Sequence, residues 1–240
     1  MDIQTWALVL VGMAAMGGMA AAEGEKRLVK EPRHLADVCE AAPLVYKGRL
    51  ILLECVRPAT GGKREDYYIT LRDVKTGKLL ARLAEGYSLA SAIVHQGGVY
   101  VFASRWEETG WNDVTLFYSQ DLKQWESQLA LRQEPGEHLY NTSVCAIGNR
   151  FVMAYETDDP RYVPFTVKFA ESKDLLHWKK VPEALFGPDR YAACPCLRYV
   201  DGYYYILYLE HKTPAWRFET FLARSRDLSQ WELSPNNPIL

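Results

Sequence analysis

The groups in this sequence best suited to proton transfer are carboxylates at the ends of apolar, strand-like runs. Glu156, in Tyr155-Glu156-Thr157-Asp158-Asp159, and Glu210, in Leu209-Glu210-His211-Lys212, each follow a glycine (Gly148 and Gly202) by eight residues. Two carboxyl groups brought to similar depth can divide acid and base work, provided one keeps its proton while the other stays ionised. This spacing makes Glu156 and Glu210 the leading candidates, with Asp158 of the same segment as a third. The matching place after Gly98 holds Trp106, in Ser104-Arg105-Trp106-Glu107-Glu108, and an indole there can stack on an apolar ring face. Tyr140, Asn141, Arg190, His211 and Arg105 add stacking and hydrogen-bonding groups near the same strand ends. The plainer role for each is a solvated, ion-paired or packed strand end.

These residues must be positioned by a repeated scaffold. Ser-x-Asp-Leu-x-x-Trp occurs three times, as Ser119 to Trp125, Ser172 to Trp178 and Ser225 to Trp231, with successive serines 53 residues apart. Each copy follows an apolar run, a glycine turn and an aromatic-rich run. The clearest is Cys196-Leu197-Arg198-Tyr199-Val200-Asp201-Gly202-Tyr203-Tyr204-Tyr205-Ile206, where Asp-Gly between β-prone segments signals a hairpin. An earlier unit, Pro43 to Leu53, has the hairpin but carries Asp73-Val74-Lys75-Thr76-Gly77 in place of the Ser-Asp-Leu motif, as terminal repeats often do. Four antiparallel strands per unit of about fifty residues describe a β-propeller blade. The expected fold is therefore all-β, with blades at approximately 38–86, 87–137, 138–189 and 190–240. Within the motif, Ser and Asp can bond turn amides while Leu and Trp pack on the neighbouring blade.

Composition narrows the partners. Lys and Arg total 28 against 30 for Asp and Glu, so no basic surface argues for nucleic acid or an anionic membrane. Residues 1–22 run from an apolar, uncharged stretch to Ala20-Ala21-Ala22, followed by Glu23-Gly24-Glu25-Lys26-Arg27, which resembles a signal peptide of a secreted or periplasmic protein. No other stretch is long and apolar enough to span a bilayer. The five cysteines (39, 55, 145, 194 and 196) are an odd set without zinc or redox spacing, expected as buried small hydrophobes, and no two histidines stand at metal-ligand spacing.

The Asp-Gly-Tyr-Tyr-Tyr hairpin followed by Ser-x-Asp-Leu-x-x-Trp resembles the five-bladed propeller glycoside hydrolases of the arabinanase, xylosidase, invertase and mannoside-phosphorylase type (glycoside hydrolase families 43 and 32), over about residues 38 to 240. That resemblance implies hydrolysis of glycosidic bonds in a poly- or oligosaccharide, with Glu156, Glu210 and Asp158 as catalytic carboxylates and Trp106, Tyr140, Asn141, Arg190, His211 and Arg105 as substrate-binding residues. It implies a carbohydrate partner, no cofactor, and a C-terminal blade beyond the four this chain carries; the sequence indicates no structural calcium. It also implies an acid at the start of the first innermost strand, for which Asp37 and Glu40 are the choices. Blades three and four begin instead with Asn141 and Ala192-Ala193. One fold hosts many functions, so a non-catalytic carbohydrate-binding propeller, a sialidase-like propeller and a protein-binding scaffold remain alternatives. The sialidase reading fits less well, because Lys123, Leu176 and Ser229 stand where its Ser-x-Asp box carries glycine.

Overall fold

The structure is a computed structural model that describes residues 38–58, 62–212, 214 and 217–239. The expected signal segment 1–22 and Asp37 lie outside the described residues. Among the described residues, sixteen strands form four antiparallel sheets of four, each built from consecutive strands. Blade one comprises β1 (Val38–Tyr46), β2 (Arg49–Val56), β3 (Tyr68–Asp73) and β4 (Leu79–Leu83). Blade two comprises β5 (Tyr87–His95), β6 (Gly98–Glu107), β7 (Gly110–Ser119) and β8 (Glu126–Leu131). Blade three has β9 (Leu139–Ile147), β10 (Arg150–Thr157), β11 (Thr166–Ser172) and β12 (Trp178–Phe186). Blade four has β13 (Ala193–Val200), β14 (Tyr203–Lys212), β15 (Arg217–Ser225) and β16 (Trp231–Leu233). The chain is a β-propeller, and β1, β5, β9 and β13 are the innermost strands of its four blades.

Strand alternation explains the packing. Along β14, Tyr204, Ile206 and Tyr208 are buried against blade three, together with Val152, Ala154, Val167 and Phe169. Equivalent apolar layers lie between blades one and two, around Ile51, Leu53, Val99 and Val101, and between blades two and three, around Phe102, Leu116, Met153 and Tyr155. Because side chains alternate with period two, each strand gives one face to the preceding blade and the other to the next.

The repeated motif locks one end of each blade. Ser172 Oγ accepts the amides of Asp174 (3.2 Å) and Leu175 (2.9 Å), and Asp174 Oδ1 accepts those of Leu176 (2.9 Å) and His177 (2.8 Å). The same bonds recur from Ser119 and Asp121 and from Ser225 and Asp227. They hold Leu122, Leu175 and Leu228 at φ of 64°, 66° and 67°, a left-handed backbone that costs a branched residue about 1–2 kcal/mol. The conformation turns each leucine into the core, where all three are buried. Trp178 Nε1 then donates to Leu175 O (2.9 Å) and Trp231 Nε1 to Leu228 O (3.0 Å), and each indole packs on the preceding blade, Trp178 against Phe102 and Trp231 against Phe169 and Phe186. Blade one reaches the same end with a different turn, in which Asp73 Oδ1 accepts the Thr76 amide at 2.9 Å.

Replacing Ser172 with Ala removes the acceptor of two turn amides, that of Leu175 buried and that of Asp174 partly so. The expected loss is about 1 kcal/mol, or a fall in Tm of roughly 2–4 °C. Thermal denaturation followed by circular dichroism reads it, and an unchanged Tm would show that the leucine turn holds without its serine.

Candidate functional site

The opposite end of the blades is where the repeat relaxes and titratable groups gather. Registers are compared from the first residue after each inner hairpin turn: Arg49, Gly98, Arg150 and Tyr203. Counting forward from these, Cys55, Ser104, Glu156 and Leu209 occupy one repeat position. The first three each bond the innermost strand of the next blade. Cys55 Sγ accepts the Ala90 amide (3.3 Å), Ser104 Oγ donates to Tyr140 O (2.7 Å), and Glu156 Oε2 accepts the Cys194 amide (2.8 Å). A thiol and a hydroxyl do this without charge, so the tie between blades does not require a carboxylate. Blade three nevertheless has one.

Counting back from the last residue before each turn (Tyr46, His95, Ile147 and Val200), Glu40, Leu89, Asn141 and Cys194 form a second equivalent set. They sit one per blade near the start of the innermost strands. Glu40, Asn141 and Cys194 line an axial cavity of about 290 Å³ bounded by all four innermost strands. Asn141 Nδ2 donates to Glu156 Oε2 at 3.0 Å, so both donors to this carboxyl converge on one oxygen. Oε1 is left as the oxygen to carry a proton.

Burial decides the protonation of Glu156, which is only 3% exposed. Desolvation pushes its carboxyl up to about 7, against the Cys194 and Asn141 hydrogen bonds that oppose the rise, while the charge of Glu40 adds to it. Burial also raises Glu40, and it outweighs the opposing pull of Arg57, whose Nη2 binds Glu40 Oε1 at 2.8 Å. Of two carboxyls within electrostatic reach, one has a guanidinium partner and the other is held by neutral donors. Both carboxyls are thus raised by burial, and of the two it is Glu40 that has a bound cation favouring its ionised form.

The other candidates are placed differently. Glu210 does not match Glu156, because Gly148 is the first residue of its turn and Gly202 the second. Register pairs Glu156 with Leu209 and Glu210 with Thr157, and a shift of one residue turns a side chain to the other face. Glu210 is instead bound by Tyr208 Oη (3.0 Å) and Lys212 Nζ (2.7 Å), with Arg190 at 3.9 Å. The same correction applies to Trp106, whose blade turns at Gln96-Gly97, so that Ser104 is the true counterpart of Glu156. Trp106 stacks face to face on Tyr67, with centroids 4.6 Å apart. Arg105 pairs with Glu107 (3.0 Å) at the end of β6, and Arg190 with Asp189 (3.0 Å).

Asp158 is a hub. It accepts the His138 amide (2.6 Å), meets His138 Nδ1 (2.8 Å) and accepts Tyr140 Oη (3.0 Å). Burial raises its carboxyl, but these bonds outweigh that and hold it below the usual range. It anchors loops and is not poised to move a proton. Tyr140 leads into a run of rings: Phe165 at 4.7 Å, then Tyr191 at 5.4 Å, then His211 and Phe218 at 6.1 and 5.7 Å. Phe165 and Tyr191 carry no repeat signal in the sequence, since they lie in connections that differ between blades. Glu40, one of the two acids expected at the start of the first innermost strand, stands on the cavity wall. Of the cysteines, Cys55 and Cys145 are buried free thiols as expected, whereas Cys194 is exposed. Among the described residues no group of three or more His, Cys, Asp or Glu is arranged to hold a metal ion.

No protein-family model matches the sequence, and no curated protein matches it. Solved structures do match. The chain aligns with a glycosyl hydrolase from Bacteroides ovatus at 14% identity and TM-score 0.60, covering 82% of this chain and 70% of that one. It aligns with the α-L-arabinofuranosidase CtGH43 from Clostridium thermocellum at 12% identity and TM-score 0.60, covering 83% of this chain and 74% of that one. A GH32 β-fructofuranosidase from Bombyx mori gives 13% identity and TM-score 0.59, over 80% of this chain but 47% of that one. The fold is that of the glycoside-hydrolase β-propellers. In this propeller, Glu156, Glu40, Asn141 and Cys194 meet where the innermost strands begin.

The raised carboxyl of Glu156 has a sign that can be checked. Between about pH 4.5, where an unfolded carboxyl titrates, and about pH 7, the folded chain binds more protons than the unfolded one. Its stability therefore falls as pH rises through that window, by on the order of 3 kcal/mol at most. Glu156→Gln keeps an acceptor for the Cys194 amide and removes the titration. Tm measured from pH 4.5 to 8 should decline less in the variant than in the wild type, and parallel curves would show that Glu156 ionises normally.

Proposed function

We propose that this chain is an exported glycoside hydrolase that cleaves a glycosidic bond in a poly- or oligosaccharide, with Glu156 as proton donor and Glu40 as its ionised partner. The observation that carries the reading is Glu156 itself. It is a buried carboxyl at a repeat position that the other blades fill with uncharged side chains, coupled to a second carboxyl on the wall of the axial cavity. Glycosidic cleavage needs this asymmetry: a protonated acid for the leaving oxygen and a carboxylate to activate water or attack the anomeric carbon. Fold likeness to an arabinofuranosidase and a fructofuranosidase supports carbohydrate as the substrate class. The Ala-rich segment ending at Ala22 supports export, to the outside of the cell or to the periplasm.

In the proposed step, Glu156 protonates the departing oxygen from Oε1, since Oε2 is occupied by Asn141 and Cys194. Arg57 orients Glu40 and favours its ionised form against the burial that raises it. A sialidase-like chemistry would need a cluster of arginines available to a substrate carboxylate; Arg57, Arg105 and Arg190 are each engaged by an acid, which leaves Arg198 on the cavity wall. A non-catalytic carbohydrate-binding propeller is the second reading, favoured by the tie that Glu156 makes between blades three and four.

Hydrolysis of a panel of aryl glycosides and unactivated oligosaccharides separates the two readings. Glu156→Gln should lower turnover of the unactivated substrate by about 10²–10⁴-fold and of the aryl glycoside by much less, because a good leaving group needs little acid help. Glu40→Gln should depress both. Wild-type cleavage that survives Glu156→Gln would overturn the assignment.

A further inference from the structure

The ring series beside the acid has no part in the proton transfers described above. Tyr140, Phe165 and Tyr191 are each half-buried, so part of every ring is left accessible at the end of the blades where Glu156 lies. Burial raises both phenols, Asp158 adding to the rise of Tyr140, and both lie within electrostatic reach of Glu156. The rings step outward from Tyr140 on blade three, through Phe165, to Tyr191 at the entry to blade four, and continue to Phe218 on β15.

Hydrogen-bonding groups border this run. Asp158 fixes Tyr140 and His138, Asn141 lies on the cavity side, and Arg190 and Asp189 flank Tyr191. The nearby cations are already neutralised, Arg190 by Asp189 and Lys212 by Glu210. A surface of aromatic rings edged by hydroxyl, amide and imidazole groups, with its charges internally paired, suits the apolar face and hydroxyl edge of a neutral sugar. An acidic sugar would find no cation free of an acid among these.

We propose that Tyr140, Phe165 and Tyr191 form a platform for the rings of a neutral oligosaccharide that extend beyond the scissile bond, so that the protein binds a chain of several sugars along blades three and four. The proposal rests on reading Glu156 as the residue beside the scissile bond. The platform accounts for two aromatic residues in irregular connections that the scaffold repeat does not call for.

Binding is measured by isothermal titration calorimetry on the full chain carrying Glu156→Gln, so that ligands are not consumed. The probes are xylo-, cello- and arabino-oligosaccharides from mono- to hexasaccharide, with oligogalacturonides as the acidic series. For at least one neutral series, affinity should rise with length by between about two- and tenfold for each ring that reaches an aromatic side chain. Adding Phe165→Ala or Tyr191→Ala should flatten that rise, while Tyr191→Phe, which keeps the ring, should preserve it with an unchanged Tm. Affinity independent of length, no binding by any neutral series, tighter binding of the oligogalacturonides, or alanine variants that bind like the parent would each overturn the platform. A wild-type protein that binds with this length dependence but leaves the oligosaccharides intact would overturn the hydrolase reading alone.

Discussion

The hydrogen bond from the Cys194 amide to Glu156 Oε2 serves scaffold and site at once, because it ties blade three to blade four and also fixes the most deeply desolvated acid near the axial cavity. A charge buried there without a cationic partner is expensive, and the least costly answer is for the carboxyl to keep its proton. Cys55 and Ser104 make the corresponding ties with no such penalty. The carboxylate in blade three therefore carries a cost that the scaffold could have avoided, which is the physical pattern expected of a functional group placed on a structural position.

The rest of the site follows from that protonation. Asn141 and the Cys194 amide occupy one oxygen, so the proton is directed to the other, and Arg57 favours the ionised form of Glu40. Asp158 is kept ionised by its bonds to His138 and Tyr140, which makes it a brace for the aromatic run. Three carboxyls near one another thus have three environments: neutral donors, a guanidinium, and a histidine with a phenol. Their roles separate because their partners differ.

The scaffold was legible in the sequence to the level of individual bonds, since Ser-x-Asp-Leu-x-x-Trp performs the same task three times and a repeated task leaves a repeated residue pattern. The candidate site was legible in part. Glu156 stood out as a carboxyl at a strand end, but its supposed twin did not, because aligning on glycines assumes that glycine holds the same turn position in every blade. It is first in the turn at Gly148 and second at Gly202, and in a strand that single step reverses the face. The Tyr67 partner of Trp106 and the ring series through Phe165 and Tyr191 were illegible for another reason. They depend on connections of unequal length meeting in space, which no local spacing encodes.

The two ends of each blade answer to different constraints. Hairpin turns and Ser-Asp-Leu turns lie together, as the pairing of Phe151 with Ser172 and of Val99 with Ser119 shows, and there the same residues recur. At the far end the equivalent positions read Cys55, Ser104, Glu156 and Leu209 on one set and Glu40, Leu89, Asn141 and Cys194 on the other. Stability set by turn amides at one end leaves the other end free to vary in charge, provided each position still fits between its neighbours. Variation is thereby concentrated at the end where a substitution changes the cavity wall without touching the turn bonds, and a deeply buried acid is accommodated there at a position that Cys55 and Ser104 fill in other blades.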